Sequence, residues 1–244
     1  LSGLELEAAL QPVEPWLEWA RSRDNAEEGP AATRPEPRPP VAARPRRISV
    51  SGIERWIANP YAVYASEILK LKVLPKLGGE PDAALKGKIL HEAMSQFAQR
   101  YPHELAPNAK DELTTIADEI LGSFSSHARI AAFWMPRFAR FSDWFAATEP
   151  ERREGLQKTL AEVAGAMTFA APAGEFKLVA RADRLDISKR GLIITDYKTG
   201  QPPKSKKVTS GQNPQLPLEA AIALAGGFHG LAAMPVLELR YIQA

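Results

Sequence analysis

An aspartate and a lysine two residues apart close an apolar segment of this chain. The segment, GLIITDYKTG, covers residues 191–200, and its β-branched run predicts a strand that stops at Gly200. Side chains alternate along a strand, so Asp196 and Lys198 lie on one face, about 7 Å apart. Taken alone, such a pair is most often a solvated ion pair, which contributes little to stability.

The preceding segment supplies a second carboxylate. The alternating run EFKLVARADRLDI, residues 175–187, is followed by the polar turn SKRG at 188–191, which predicts a hairpin. In that hairpin, Asp183 and Asp196 can face each other near Lys198. Two carboxylates repel unless a proton or cation lies between them. Oxygen ligands suit Mg²⁺, which commonly uses one or two carboxylates together with a substrate phosphate.

The elements that must position these groups are a helical section followed by a small sheet. Ser51 is a candidate cap for a helix over 53–57, and the stripe Ile89, Leu90, Ala93, Met94 and Phe97 predicts a buried helix face. This order predicts an α/β or α+β fold with a mixed sheet. The predicted helices are 53–57, 61–69, 86–100, 108–125, 127–147, 150–165 and 214–226, and the predicted strands are 166–171, 175–187, 190–198 and 236–243.

Composition divides the chain and excludes several classes of site. Residues 24–47 are rich in proline and charge and predict an extended linker between a helical tail at 1–23 and a globular domain at 48–244. The strand-like run at the end predicts that this domain is truncated there. The chain has 244 residues and 45% hydrophobic content, enough for a substantial core, and zero cysteines, which excludes disulfides and iron–sulfur clusters here.

The sequence alone excludes a membrane segment but does not decide the role of several charged residues. No apolar run approaches the roughly 20 residues that span a bilayer, and residues 1–20 lack a signal-peptide pattern, so we expect a cytoplasmic protein without membrane contact. The net charge of +2 says little about partners. A lysine cluster follows the suspected site and is either a solvated loop or a phosphate-binding segment; it consists of Lys204, Lys206 and Lys207. His91, beside the apolar helix stripe, is either a structural residue or a ligand.

Four ordered motifs connect the histidine to the hairpin. GKILH (87–91), RADRLD (181–186), DYKTG (196–200) and QNPQLPLEA (212–220) together resemble the RecB-type branch of the PD-(D/E)XK nuclease superfamily. The flanking segments are most similar to the C-terminal nuclease domain of the AddB family, over roughly residues 46–244. The resemblance implies a restriction-endonuclease-like core, with a small central mixed sheet flanked by helices and a helical N-terminal section.

The resemblance also implies roles for single residues. His91, Asp183, Asp196 and the backbone carbonyl of Tyr197 would hold Mg²⁺ or Mn²⁺. Lys198 would orient the attacking water and stabilise charge on the phosphate. Gln215 would help to position the lysine and the substrate. Arg184 and the lysine cluster would contact DNA phosphates.

The implied function is metal-dependent exonuclease action on DNA, mainly single-stranded ends, during double-strand break repair and recombination. The implied partner is an AddA-like subunit of a helicase–nuclease complex. Two positions depart from the family pattern: Glu219 replaces a frequent tyrosine, and Asn59 stands where a cluster-binding cysteine is expected. The alternative is a catalytically inactive module on the same fold that binds DNA or a partner subunit. A nucleotide-binding enzyme is excluded, because the chain has no P-loop and no GxGxxG opening a helix after a strand.

Overall fold

The computed structural model describes residues 16–24, 33–74, 83–122 and 128–244. The chain divides into two compact units, residues 1–38 and 39–244. In the first unit, α1 spans Trp16–Asp24 and so ends one residue after the predicted helical tail at 1–23. Leu4 and Leu6, which belong to the same prediction, lie outside the described residues. All further elements belong to the second unit.

The second unit has a helical first half and a strand-rich second half. A 3₁₀ turn at Val41–Ala43 lies near its start, and a π-helical turn at Tyr64–Ile68 extends the helix at Pro60–Val63. The elements, in chain order, are β1 Arg47–Ser49, α2 Val50–Ala58, α3 Pro60–Val63, α4 Ala83–Arg100, α5 Ala109–Gly122, α6 Ala128–Arg153, β2 Leu156–Phe169, β3 Phe176–Ser188, β4 Leu192–Lys198, α7 Ser205–Thr209, α8 Gln215–Leu224 and β5 Val236–Gln243.

β3 is the central strand of a five-stranded mixed sheet. β2 pairs with it antiparallel along nearly its whole length. Its other edge is divided between β1, parallel at 177–179, and β4, antiparallel at 184–187. β5 then lies parallel to β4. Asp183 therefore lies between the part of β3 that pairs with β1 and the part that pairs with β4.

Helices cover both faces of this sheet. On one face α4, α5 and α6 bury a core that includes Phe97, Leu113 and Phe145, which meets Tyr197 and Ile242 of the sheet. On the opposite face, α2 and α8 pack against the sheet through a second core that includes Val50, Leu216, Ile222, Leu185 and Ile194. The predicted mixed sheet flanked by helices is confirmed, as is the burial of the α4 stripe. Within the described residues, no helix combines the length and apolarity that crossing a bilayer requires.

The predicted helix at 150–165 is wrong. α6 ends at Arg153, and the long strand β2 starts at Leu156 and absorbs the predicted strand at 166–171. Gly155 adopts φ +73° between them, a conformation that glycine provides at the end of a helix. The segment is rich in Ala, Leu and Glu, which favour helix, but pairing with β3 along its length overrides that weak preference.

The helix cap at the start of the domain also differs from expectation. Ser49, and not Ser51, caps α2, because its hydroxyl accepts a hydrogen bond from the amide of Gly52 at 2.9 Å. The second unit begins at Pro39, and the carbonyl of Arg46 accepts a hydrogen bond from the Lys177 amide. β1 begins at the next residue, Arg47, and pairs parallel with β3.

Candidate active site

The β3–β4 ladder places the two predicted carboxylates opposite each other. Arg184 pairs with Thr195, so the next step outward brings Asp183 level with Asp196. The ladder stops there, and the amide of Tyr197 donates to Asp183 Oδ2 at 2.9 Å instead of to a strand carbonyl. Asp183 thus completes the sheet with its side chain, which fixes its carboxylate beside Asp196.

Lys198, Asp196 and Gln215 form a compact polar group. Lys198 Nζ lies 2.8 Å from Asp196 Oδ2 and donates to Gln215 Oε1 at 3.1 Å. Gln215 Nε2 donates to Asp196 Oδ1 at 2.6 Å. Gln215 is the first residue of α8, and its side-chain amide contacts both Asp196 and Lys198. The side chain of Lys198 remains 33% exposed, which leaves its ammonium accessible to a substrate.

α4 delivers His91 to the same place. His91 Nδ1 lies 3.1 Å from Asp183 Oδ1, and its ring meets the ring of Tyr197 edge-on with centroids 6.5 Å apart. Tyr197 itself is buried with its hydroxyl directed to Arg184. The structure therefore brings the helix motif and the hairpin motifs together, a contact that the residues alone left open.

Glu162 of β2 is a member of this group that the sequence analysis missed. Ligand atoms of His91, Glu162 and Asp183 all lie within 4.8 Å of one another. Glu162 interrupts the pairing of β2 with β3 at the position opposite Asp183 and has φ +54°, which is unusual for a residue other than glycine. Assigning 150–165 to a helix concealed it, because only a strand at this position makes Glu162 a cross-strand neighbour of Asp183.

The electrostatics of the group reflect crowded negative charge. Burial and the charge of Asp183 raise the pKa of both Asp196 and Glu162. Burial alone would lower the pKa of His91, but its hydrogen bond to Asp183 and the surrounding carboxylates outweigh that effect and raise it. The raised pKa values of all three groups thus mean that the site favours binding a proton or another cation.

The donor set fits a divalent cation. One imidazole nitrogen and two carboxylates converge, and Asp196 stands directly beside them. Carboxylate oxygens suit Mg²⁺ and Mn²⁺, and an imidazole nitrogen is an additional good ligand for Mn²⁺. A cation here would relieve the repulsion that raises the carboxylate pKa values.

Arg184, a predicted DNA contact, has a buried side chain. Its side chain is 2% exposed, and its guanidinium lies 2.7 Å from Glu149 Oε1 and 2.8 Å from Asp186 Oδ1. The Thr159 hydroxyl also donates to Asp186, at 2.7 Å. Arg184 therefore joins α6 to the sheet directly behind Asp183, and Asp186 links this ion pair to β2 through Thr159.

The remaining predicted DNA contacts are exposed. Lys204 directly precedes the short helix α7, and Lys206 and Lys207 lie within it. Among the described residues, no carboxylate forms an ion pair with these lysines. An open cleft of about 530 Å³ is lined by His91 and Glu162 and also by Lys88, Ser95 and Arg181. Arg181 Nε lies 2.7 Å from Glu162 Oε2, although the side chain of Arg181 is 70% exposed.

The two positions that depart from the family pattern have local explanations. Glu219 is 1% exposed one turn beyond Gln215, and burial together with the charge of Asp196 raises its pKa to about 8. Asn59 caps α3, because its side-chain oxygen accepts a hydrogen bond from the amide of Ala62 at 3.1 Å. Asn59 thus stabilises a helix start where the resemblance expects a cysteine.

Several known proteins are similar to this chain in sequence. An uncharacterized protein of Rickettsia bellii is 32% identical over 186 residues, which are 76% of this chain and 22% of that protein. Uncharacterized proteins of Rickettsia conorii and Rickettsia typhi are each 30% identical, over 75% and 76% of this chain and 23% and 22% of their own lengths. The chain spans about a fifth of the length of these curated relatives. The model of the PD-(D/E)XK nuclease superfamily matches residues 47–244, and the chain belongs to that superfamily.

Proposed function

We propose that this domain is a metal-dependent DNA nuclease of the RecB type. The observation that supports it best is the convergence of His91, Asp183, Asp196 and Lys198 from two strands and a helix far apart in sequence. Buried like charges are costly, and they are retained where a cation and a substrate use them. The reaction that suits this set is hydrolysis of a phosphodiester.

Mg²⁺ or Mn²⁺ would be held by His91, Glu162 and Asp183, with Asp196 and the Tyr197 carbonyl as further candidates. When bound, such a cation polarises the phosphate and lowers the pKa of a coordinated water. The remaining chemistry belongs to the side chains around it.

Lys198 is the cation best placed to act on the phosphate. In hydrolysis, a water oxygen loses a proton to solvent and bonds to phosphorus, the bond from phosphorus to the leaving sugar oxygen breaks, and that oxygen acquires a proton from solvent. The Lys198 ammonium orients the attacking water and stabilises the negative charge on the phosphoryl oxygens. Asp196 and Gln215 hold its Nζ at 2.8 and 3.1 Å, so the ammonium is positioned before substrate arrives.

DNA would reach this site along basic surfaces on both sides of it. The cleft carries Lys88 and Arg181, and α7 carries the exposed lysine cluster Lys204, Lys206 and Lys207. Such contacts neutralise backbone phosphates independently of sequence.

The biological role that the motifs favour is exonuclease action on single-stranded ends during double-strand break repair and recombination. By its resemblance to the AddB family, the domain would work in the bacterial cytoplasm in a complex with an AddA-like helicase subunit. The longer curated relatives are compatible with a nuclease domain within a larger machine.

A cleavage assay tests this proposal. We expect the chain to degrade labelled linear single-stranded DNA with Mg²⁺ or Mn²⁺ and not with EDTA, and we expect a closed single-stranded circle to resist. Lys198→Ala should lower the cleavage rate at least 100-fold, because it removes a charge that acts in the transition state. Lys189→Ala is the matched control, since Lys189 is an exposed lysine in the turn between β3 and β4.

Two outcomes contradict the proposal. Equal cleavage by the wild-type and Lys198→Ala proteins would mean that the activity does not come from this site. Metal-independent DNA binding without cleavage by either protein, also in the presence of the helicase subunit, would favour the inactive binding module.

A further inference from the structure

A second pocket lies beside the first turns of α4, on a different face of that helix from the cleft at His91. Its volume is about 130 Å³, and its walls include Ile89, Leu90, Leu121, Trp134, Phe138 and Thr199. An apolar cavity of about 150 Å³ in another protein takes up benzene, so this space is on the scale of one planar ring. The proposed phosphodiester chemistry does not use this pocket.

The pocket adjoins the candidate catalytic group. Thr199, on its wall, directly follows Lys198 in the chain. Gly87 belongs to the wall of the His91 cleft, yet a side chain added to it would come within 4.0 Å of the Thr199 hydroxyl. At Gly87, in the second turn of α4, only backbone without a side chain therefore lies between the cleft and the pocket.

The lining of the pocket combines aromatic rings with positive charge. Trp134 and Phe138 come from α6, and Lys86 Nζ lies 5.3 Å from the centroid of the Trp134 ring. Arg137 also lines the pocket, and none of its described lining residues is acidic. Rings beside cations suit a ligand that has a planar face and an adjoining negative charge.

We propose that this pocket binds one nucleobase of the strand being cut, with the phosphate of that nucleotide directed toward Lys86 and Arg137. The inference rests on the proposed nuclease function. A base stacks on aromatic side chains whatever its identity, which suits an enzyme that degrades any sequence. A base in a duplex is paired and stacked, so only an unpaired nucleotide enters without the cost of extrusion.

Abasic scanning of the substrate tests the pocket. The probe is a fluorescein-labelled 12-residue oligothymidylate, and the series replaces each nucleotide in turn with an abasic one. Binding is measured by anisotropy in EDTA, so that no cleavage occurs. We expect one internal abasic position to weaken binding to the wild-type chain roughly fivefold to a hundredfold, the range for losing one base–aromatic stack.

A variant of the pocket should abolish that position-specific effect. In Trp134→Leu the aromatic ring is lost while the side chain stays apolar. The intact oligonucleotide should then bind as weakly as the abasic one binds to wild type, and the abasic change should not weaken binding further. Leu121→Trp, which fills the pocket from its edge, should behave in the same way. Trp144→Leu is the matched control, since Trp144 lies on the same helix, is 43% exposed and does not line the pocket.

The outcomes separate this inference from the nuclease proposal. If wild type binds and cuts DNA with Mg²⁺ but the abasic profile is unchanged in Trp134→Leu and Leu121→Trp, the pocket does not hold a base. If wild type shows the coupled profile but does not cut DNA with Mg²⁺, also in the presence of the helicase subunit, the base pocket stands and the nuclease proposal fails. Failure of the folded wild-type chain to bind the oligonucleotide, or equal losses in Trp144→Leu, overturns the base pocket.

Discussion

At the scale of single residues, Glu162 has an unusual backbone for its element. It has φ +54° inside a strand that pairs regularly on both sides of it. A residue other than glycine in this conformation costs on the order of 1–3 kcal/mol and persists only where its surroundings impose it. The effect of this conformation is to place the Glu162 carboxylate beside Asp183 and His91. The strained position and the candidate metal group therefore coincide.

Replacing Glu162 should weaken metal binding directly. We expect Glu162→Gln to raise the dissociation constant for Mn²⁺ at least tenfold, since even residues that only orient metal ligands contribute 10–100-fold. Isothermal titration of the metal into the full chain, without DNA, measures this. Glu92→Gln is the control, because Glu92 lines the same cleft but is not in the ligand group. An equal loss in both variants would indicate a general effect of charge.

Glu219 should make the stability of the metal-free chain depend on pH. Burial and Asp196 raise its pKa to about 8 from an ordinary value of 4.5. Between these values, the folded chain retains a proton that the unfolded chain has released. The folded state then binds more protons, so the free energy of unfolding falls as pH rises, by roughly 1.4 kcal/mol for each pH unit in that window.

Urea unfolding in EDTA at pH 5.5 and 7.5 measures this dependence. We expect Glu219→Gln to lose less stability than wild type between the two values, because its neutral amide does not titrate. Glu175→Gln, at an exposed position, should behave like wild type. Identical losses in wild type and Glu219→Gln would show that other carboxylates, such as Asp196, cause the whole dependence.

At the scale of the elements, a buried ionic network joins α6 to the sheet behind the site. Glu149 Oε1 of α6 lies 2.7 Å from Arg184 of β3 and accepts a hydrogen bond from Arg153 at 2.8 Å. Burial alone would raise the pKa of Glu149, but Arg184 and Arg153 lower it, so the carboxylate is ionised. Because Arg184 adjoins Asp183, this network also supports the register that places Asp183 opposite Asp196.

Removing one partner of this network should destabilise the fold strongly. We expect Arg184→Met to lower the free energy of unfolding by about 3–5 kcal/mol, because Glu149 and Asp186 remain buried with less compensating charge. Arg100→Met is the control: Arg100 forms an exposed ion pair with Glu119, and its loss should cost less than about 1 kcal/mol. Urea unfolding measures both. Similar small losses would mean that water or Arg153 compensates the buried acids.

At the scale of the whole second unit, the site lies where two cores meet the same sheet. α4, packed on one face of the sheet, supplies His91 to the site, and α8, packed on the opposite face, supplies Gln215. Neither helix is adjacent in sequence to the hairpin that carries Asp183 and Asp196. The polar group is therefore assembled only when both helical layers are packed on the sheet.

Part of this arrangement could be predicted from local sequence. The hairpin with Asp183 opposite Asp196 follows from alternation and a short polar turn, and the buried face of α4 follows from its apolar stripe. These features depend on residues close together along the chain, so their periodicity is visible without a structure. The order of the four motifs identified the superfamily, which the family match supports.

Tertiary structure alone decided the rest. Leu156–Phe169 forms a strand because β3 offers it a partner over its whole length, although its residues favour a helix, and with it Glu162 enters the site. Arg184 is buried because it forms an ion pair with Glu149 of a helix distant in sequence, although its motif predicts a DNA contact. Contacts between segments far apart in sequence outweigh the small energies of local preference, and those contacts are not encoded in any one stretch of the chain.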